Sequence, residues 1–377
     1  EFRRVLFRSY RGRDHLLAPG AARAADAVAA LEAEEPPRSA IAEYADWKRR
    51  LESARALLRA DVGSIASAAR LIATTTAFAF IHYDTLLDCG KWDFVIIDEA
   101  IEVANDSEYG LVAGVWTRDG SWTGVAGTAA PDGGPAPDLG AATRIGSISK
   151  TFTVTLLLQL AAEGRVSLDD PIGRWFPGIP NPNARLADLA SMRSGIPDYT
   201  TDETFQREML TEPKTAFTAD RLIAFARLHP AEFAPGARFA WSNTNIVLLG
   251  RVIAEVTGTP FGDVLEQRIL RPLGLDHTRY PGASADLGQP GWRGVTDQGR
   301  PPWQTVDATE WNPSWAAEAG ALISNLDDLH RWAVALATGE GVLDPDAQAR
   351  RIASLTTVPG SPELRYGLGL RSLAGWL

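Results

Sequence analysis

The sequence is poor in cysteine, in lysine and in long apolar runs, and each shortage argues against a class of structure or partner. Cys89 is the single cysteine among 377 residues, so no disulfide can form within the chain. No apolar run reaches the ~18 residues that a membrane-spanning helix needs, which predicts no membrane span. The formal net charge of −10 argues against a nucleic-acid partner, because proteins that bind nucleic acids carry basic patches.

The chain also has no phosphate-binding loop of the form G-x-x-x-x-G-K-[ST], whose backbone N–H groups hold nucleotide phosphates. This absence matters for residues 92–100, where an apolar run ends in two carboxylates, Asp98 and Glu99. The run resembles the magnesium-binding strand of helicases, and an ordinary buried strand with an acidic end explains it equally well. Without the loop, a helicase-type ATPase is only a remote alternative.

The first 119 residues read as three unrelated pieces. Residues 1–9 resemble the translation of a sequencing-library adapter, residues 10–100 contain the helicase-like run, and residues 101–119 resemble a short C-terminal stretch of aldehyde dehydrogenases. The dehydrogenase-like piece contains no catalytic cysteine and no dinucleotide loop, so it implies no dehydrogenase activity. We therefore predict a chimeric N-terminal part that is not a true domain, followed by one coherent domain over residues 120–377.

Ser147 and Lys150 form an S-x-x-K motif at the start of an apolar helix, which is predicted over residues 151–163 and ends at Gly164. Residues three apart lie on the same face of a helix, so the lysine amine is expected within reach of the serine hydroxyl. A serine is a weak nucleophile until a base takes its proton, and burial or neighbouring cations can make a lysine that base. We predict Ser147 as a nucleophile and Lys150 as its proton acceptor.

The scarcity of lysine strengthens this prediction. The chain has only four lysines among its 37 basic residues, so arginine is its usual basic residue. Because arginine is not deprotonated in proteins, it would not serve as a base at position 150. A surface lysine in the first turn of a helix is the ordinary alternative explanation.

Longer stretches around this motif resemble the β-lactamase-related serine hydrolases, which include class C β-lactamases, D-alanyl-D-alanine carboxypeptidases and related esterases. The similarity extends over roughly the last two thirds of the chain, with several motifs in the family's order. It rests on residues 144–153, 160–171, 189–199, 235–245 and 319–324. The resemblance implies an α+β fold of the β-lactamase/transpeptidase type, with an antiparallel sheet flanked by helices and a mostly helical subdomain.

In that family a second motif, Tyr-x-Asn, supplies a tyrosine that helps to move protons and an asparagine that hydrogen-bonds the substrate amide. Asn243 matches the asparagine, but Trp241 stands at the tyrosine position. An indole N–H only donates a hydrogen bond and cannot accept a proton. Either Lys150 acts alone as base or turnover is slow. Trp241 is expected to line the pocket and stack on substrate, unless it simply packs in the core.

The family's third motif, Lys-Thr-Gly or His-x-Gly, lies on a strand beside the active site and usually follows a segment such as residues 366–370. The chain ends at Leu377 without it, so the fold is expected to be incomplete at the C-terminus. Loss of that strand would leave a sheet edge uncovered, which predicts a marginally stable and catalytically poor protein.

The resemblance implies a serine hydrolase that forms an acyl-enzyme on Ser147 and acts on a β-lactam, a D-Ala-D-Ala peptide or a small ester. The alternatives are a penicillin-binding protein without turnover and an inactive truncated chimera. The expected partner is a small-molecule or peptide substrate, with no metal and no organic cofactor, and the oligomeric state is left open. Relatives usually act outside the cytoplasm, yet the chain shows no signal peptide, so the compartment is left open too.

Three histidines fall within the hydrolase-like region, namely His229, His277 and His330. None has a partner at metal-ligand spacing, so each is expected to be a surface or packing residue. No Gly-x-Ser-x-Gly elbow surrounds Ser147, which argues against an α/β-hydrolase.

Overall fold

A computed structural model describes residues 71–75, 94–98, 110–117, 120–129, 135–288, 291–296 and 306–373. The adapter-like residues 1–9 and most of the helicase-like and dehydrogenase-like segments lie outside these ranges, so the predicted chimera is not addressed by the fold. The boundary predicted at residue 120 also stays a prediction.

The described helices are α1 Ser149–Ala162, α2 Leu186–Ala190, α3 Glu203–Thr211, α4 Ala219–Arg227, α5 Asn243–Thr257, α6 Phe261–Leu265, α7 Arg271–Leu273, α8 Ala317–Gly320, α9 Leu326–Thr338 and α10 Pro345–Ala353. A π-helical turn over Glu266–Leu270 joins α6 to α7. Shorter 3-10 turns cover Gly146–Ile148, Ile172–Arg174, Tyr199–Thr201 and Pro313–Trp315. None of the described helices is long and apolar enough to cross a bilayer.

The described strands are β1 Leu71–Thr75, β2 Phe94–Asp98, β3 Gly110–Thr117, β4 Gly120–Gly127, β5 Thr143–Arg144, β6 Val295–Thr296, β7 Val306–Asp307, β8 Ile323–Ser324, β9 Thr356–Val358, β10 Ser361–Tyr366 and β11 Arg371–Leu373. The largest sheet in the described part of the chain has the order β2-β1-β3-β4. In it β3 and β4 form an antiparallel hairpin, β1 pairs antiparallel with β3, and β1 pairs parallel with β2. The apolar run at residues 92–100, for which an ordinary buried strand was one explanation, contains β2.

The helix α1 forms the centre of the fold. Ten of its 14 residues are buried, and they lie on every side of the helix. A helix that is apolar all round has no face for solvent, so it packs against other elements in every direction. Gly164 follows it at a φ of +70°, the left-handed conformation that commonly ends a helix, so the predicted C-terminal stop is confirmed. The α-helix begins at Ser149, after the 3-10 turn, two residues before the predicted start at residue 151.

Two aromatic stacks attach α9 to its neighbours. The ring of Trp332 stacks on Phe152 of α1 at a centroid distance of 3.9 Å, and its indole N–H donates to Thr151 Oγ1 at 2.8 Å. Two residues earlier in α9, the ring of His330 stacks on Trp116 of β3 at a centroid distance of 4.1 Å. The helix α9 therefore joins α1 to the β3–β4 hairpin, and His330 is a packing residue as expected.

On the opposite side of α1, the helix α5 lies against α1, α2, α4 and α8. The buried face of α5 is aliphatic, and its first turn is polar. Helix α5 therefore anchors the helical part of the fold, while its N-terminal end presents Asn243 beside Trp241.

Candidate active site

Ser147 lies in a tight turn between a strand and a helix. The strand β5 pairs with β8, and the N–H of Ile145 donates to Leu322 O at 2.9 Å, which fixes the chain just before the serine. Ile145 is fully buried, and Gly146 adopts a φ of +50°, a conformation that favours glycine. The backbone is therefore fixed on one side by sheet pairing and on the other by α1.

Lys150 contacts the serine directly. Its Nζ lies 2.7 Å from Ser147 Oγ and 2.9 Å from the carbonyl oxygen of Ala319, which accepts a hydrogen bond from it. Side chains three residues apart eclipse one another in a 3-10 turn, so the spacing predicted from the motif brings the two groups together. The Lys150 side chain is only 2% exposed, and a buried amine needs such partners to offset its desolvation.

The acceptor carbonyl comes from α8, a short segment to which the sequence motifs assign no role. Thr153 Oγ1 donates to Glu318 O at 2.9 Å, so two consecutive carbonyls of α8 are hydrogen-bonded to side chains of α1. Gly320 lies beside the turn that holds Ser147, because a Cβ added there would lie 3.7 Å from the backbone carbon of Gly146. No sequence signal marked this segment as part of the site, because a lone glutamate is normally solvated.

Trp241 covers the lysine from the other side. The centroid of its ring lies 4.6 Å from Lys150 Nζ, and the ring meets Tyr366 edge to face at 5.8 Å. Its side chain is 39% exposed, so it lines an open surface beside the lysine and is not a core residue. The face of an indole attracts a cation, which favours the charged form of the amine beneath it.

Asn243, the other residue of the second motif, begins α5 and is half-buried. Its Nδ2 donates to Asp198 Oδ2 at 2.9 Å. The other oxygen of Asp198 accepts the N–H of Thr200 at 3.1 Å, which caps the 3-10 turn that follows. Asp198 lies within the stretch 189–199 that carries the family resemblance, but that resemblance gave it no role.

Tyr199 is hydrogen-bonded to the residue that follows Asn243, because its backbone N–H donates to Thr244 Oγ1 at 3.0 Å. Its hydroxyl donates to Trp315 O at 2.7 Å, and burial raises the pKa of the phenol well above its usual value. A phenol that is neutral and already donating to a carbonyl cannot take a proton from serine. Tyr199 therefore does not replace the tyrosine that the second motif lacks.

Glu318, the residue before Ala319, carries a buried carboxyl. Burial raises the pKa of its carboxyl to about 7, although the positive charge of Arg251 acts in the opposite direction. Its oxygen Oε2 is buried without a hydrogen-bond partner among the described residues. The side chain fills the space above Gly250, where an added Cβ would lie 2.4 Å from Glu318 Cγ.

The remaining histidines lie elsewhere on the surface of the described region. His229 Nε2 lies 2.8 Å from Asp202 Oδ2, and His277 Nδ1 lies 3.8 Å from Asp328 Oδ1. Within the described ranges, no three His, Cys, Asp or Glu side chains are grouped to hold a metal ion. The arrangement brings the Ser147 hydroxyl, the Lys150 amine and the partly exposed ring of Trp241 together, and a hydroxyl in contact with an amine is a pair that can perform acyl transfer.

Comparison with known proteins agrees with this geometry. The sequence profile of a family described as Beta-lactamase matches residues 97–374. A D-aminopeptidase from Brucella anthropi is 28% identical over 230 residues, which are 60% of this chain and 41% of that protein. The chain thus spans about two fifths of the length of this curated relative.

Solved structures show the same likeness in three dimensions. A D-stereospecific amidohydrolase from Streptomyces sp. is 37% identical with a TM-score of 0.61, over 67% of this chain and 74% of that one. A D-amino acid amidase from Ochrobactrum anthropi SV3 is 27% identical with a TM-score of 0.61, over 70% of this chain and 77% of that one. The expected α+β fold of the β-lactamase/transpeptidase type is confirmed by these neighbours.

Proposed function

Because the matching profile covers most of its length, the chain belongs to the β-lactamase family of serine hydrolases, and from that premise we propose that Ser147 forms an acyl-enzyme. Lys150 is the base that takes the serine proton, Trp241 lines the pocket, and Asn243 binds the substrate. The observation that carries the proposal is the 2.7 Å contact between Ser147 Oγ and Lys150 Nζ, made by an amine that is almost fully buried.

The proposed reaction has two steps. A neutral Lys150 amine accepts the proton of Ser147 as Oγ attacks the substrate carbonyl, and Ala319 O keeps one N–H of the amine oriented. The carbonyl carbon bonds to Oγ, and the bond to the leaving group breaks as that group takes up a proton from Lys150. Water then attacks the ester, the acid leaves, and Ser147 regains its hydroxyl.

The substrate class that we propose is an amide next to a residue of D configuration. A D-aminopeptidase, a D-stereospecific amidohydrolase and a D-amino acid amidase are all similar to this chain, which supports that class. A β-lactam, a D-Ala-D-Ala peptide and a small ester all react through the same acyl-enzyme, so each is a reagent for testing the site.

Trp241 supports one second candidate, a binding protein that is acylated but turns over slowly. The indole contacts the lysine yet has no atom that accepts a proton, so Lys150 must serve both steps. Its ring face also favours the charged amine, which is the form that cannot act as base. Stable acylation without release of product would favour this candidate.

The test is intact-mass labelling of the purified chain with a fluorophosphonate and with a penicillin. We expect one adduct on the wild type, no adduct on Ser147→Ala, and an unchanged adduct on the control Ser284→Ala, whose serine is exposed in a loop. Decay of the penicillin adduct over minutes indicates an enzyme, and persistence over hours indicates the binding protein. An adduct that survives Ser147→Ala would refute Ser147 as the nucleophile.

A further inference from the structure

We propose that Thr153 is a positioning residue for Lys150, because its hydroxyl holds the end of α8 so that the carbonyl of Ala319 faces the amine. The inference rests on the proposed function, in which Lys150 takes the proton of Ser147. It adds a residue that acts on the reaction only through the amine. Ser149 provides a second hydroxyl at the same contact, and the two side chains, Ser149 and Thr153, are called the α1 clamp below.

Helix α8 ends at the α1 clamp. The N–H of Ala321 donates to Ala317 O at 2.9 Å, which is the α-helical pattern. One residue further, the same pattern would join the N–H of Leu322 to the carbonyl of Glu318. That N–H donates to Ser149 Oγ at 3.2 Å instead, so the carbonyl of Glu318 needs another donor.

Thr153 supplies that donor. Its Oγ1 donates to Glu318 O at 2.9 Å, while the carbonyl of Ser149 in its own helix lies farther away, at 3.4 Å. A threonine inside a helix commonly bonds to the carbonyl four residues earlier, as Thr155 does to Thr151 O at 2.7 Å. Thr153 is fully buried, and valine has the same shape, so the carbonyl of α8 is the physical reason for a hydroxyl at this position.

The next carbonyl of α8 is the one that contacts Lys150. The N–H of Ile323, which would bond Ala319 O in a longer helix, donates to Arg279 O at 3.0 Å. Ala319 O therefore accepts from Lys150 Nζ, 2.9 Å away. Because a carbonyl only accepts, one N–H of the amine must face it, and rotation about the Cε–Nζ bond is restricted. The position of the amine that faces Ser147 then keeps a fixed direction.

The backbone of α8 is strained, which shows that contacts from other elements hold it. Its first residue, Ala317, has a φ of +43°, in the left-handed region that alanine rarely adopts. Such a conformation persists where the surrounding structure over-determines it. Glu318 is packed closely against Gly250 of α5, where an added Cβ would lie 2.4 Å from Glu318 Cγ, and the α1 clamp holds the other side. Loss of a clamp hydroxyl is therefore expected to let α8 relax and move Ala319 O away from the amine.

The test measures the rate of fluorophosphonate labelling of Ser147 in Thr153→Val, which keeps the shape of the side chain and removes the hydroxyl. We expect labelling to slow by about tenfold or more, because a small misplacement of a reacting group can cost up to about 10²-fold. Thr153→Ser restores a hydroxyl and should label near the wild-type rate. The matched control is Thr155→Val, the same substitution at an equally buried position of α1, whose hydroxyl bonds Thr151 and Arg351. This control should lower stability and leave the labelling rate of the folded protein unchanged.

A double-mutant cycle shows whether Thr153 acts through the amine. In Lys150→Arg no amine accepts the serine proton, so adding Thr153→Val should slow labelling no further. If Thr153→Val does not fold, as judged by circular dichroism, Ser149→Ala removes the other hydroxyl of the α1 clamp and replaces it in the cycle, with the same slowing expected.

Three results overturn the inference while the proposed function stands. They are a wild-type labelling rate in the clamp variant, an equal slowing by that variant in the wild-type and Lys150→Arg backgrounds, and an equal slowing in Thr155→Val. Absence of labelling at Ser147 in the wild type overturns the proposed function and the inference together.

Discussion

Glu318 carries a buried carboxyl and precedes Ala319, whose carbonyl oxygen accepts a hydrogen bond from Lys150. Replacing Glu318 by glutamine tests how much burial of this carboxyl changes the free energy of unfolding with pH. Burial raises the pKa of Glu318 from 4.5 to about 7, with Arg251 acting in the opposite direction. Below about pH 4.5 both the folded and the unfolded protein carry the neutral acid, so Glu318 adds no pH dependence to the free energy of unfolding. Between the two pKa values the unfolded chain loses the proton and the folded protein keeps it.

The sign follows from which state binds more protons. Because the folded state holds the extra proton in this window, stability falls as pH rises from about 4.5 to about 7 and is constant above it. A separation of about 2.5 pKa units corresponds to about 3 kcal/mol of unfolding free energy. Glutamine has no proton to lose at this position. The unfolding free energy of Glu318→Gln is therefore expected to equal that of the wild type or to lie slightly below it at low pH, and to exceed it near pH 8.

The assay is urea unfolding followed by tryptophan fluorescence at a series of pH values, with Glu340→Gln as the control at an exposed position. Other carboxyls titrate equally in both proteins, so the difference between wild type and variant isolates Glu318. We expect the difference in unfolding free energy between Glu318→Gln and the wild type to change by about 3 kcal/mol between about pH 4.5 and about pH 7. The difference between Glu340→Gln and the wild type should not change with pH. A Glu318→Gln difference that is the same at low and at high pH would refute the reasoning.

Three further predictions concern the nucleophile, the aromatic wall and the packing on α1. Lys150→Arg should slow fluorophosphonate labelling by on the order of 10²-fold or more, because arginine cannot accept the serine proton. Trp241→Tyr should hasten loss of the penicillin adduct by about tenfold or more, since it supplies a phenol near the amine, and an unchanged decay would contradict this. Gly369→Ala should cost about 3 kcal/mol of unfolding free energy, since its Cβ would lie 2.5 Å from Val154 Cβ at a φ of +63°. Gly164→Ala, at a φ of +70° with nothing within 4 Å, should cost only about 1 kcal/mol, and equal losses in the two would exclude the steric explanation.

Features that depend on neighbouring residues could be predicted from the sequence. The run of apolar residues after Lys150 predicted α1, and Gly164 predicted its end, because both signals act within one or two helical turns. The contact between Ser147 and Lys150 was predictable for the same reason, since a separation of three residues places two side chains on one face. The resemblance added the fold class, which local patterns alone do not specify.

Other features were not predictable because they join parts of the chain that are far apart. The exposure of Trp241 ruled out the alternative that its ring packs in the core. The sequence could not show this, because a motif carries no information on which side of the ring faces solvent. The turn that holds Ser147 follows β5, and β5 pairs with β8, a strand almost 180 positions later in the chain. Burial of Glu318 is a property of the packed helices, since a lone glutamate in a sequence is normally solvated.

The sequence by itself determined the contact between Ser147 and Lys150, because one helical turn brings side chains three residues apart together in any context that allows the helix. Only the tertiary structure decided which groups complete the site. The carbonyl that accepts a hydrogen bond from Lys150 lies 169 residues away at Ala319, and the carboxylate that accepts one from Asn243 lies 45 residues away at Asp198. Such contacts form when packing of the core closes long loops, and their free energy depends on the whole fold rather than on local spacing.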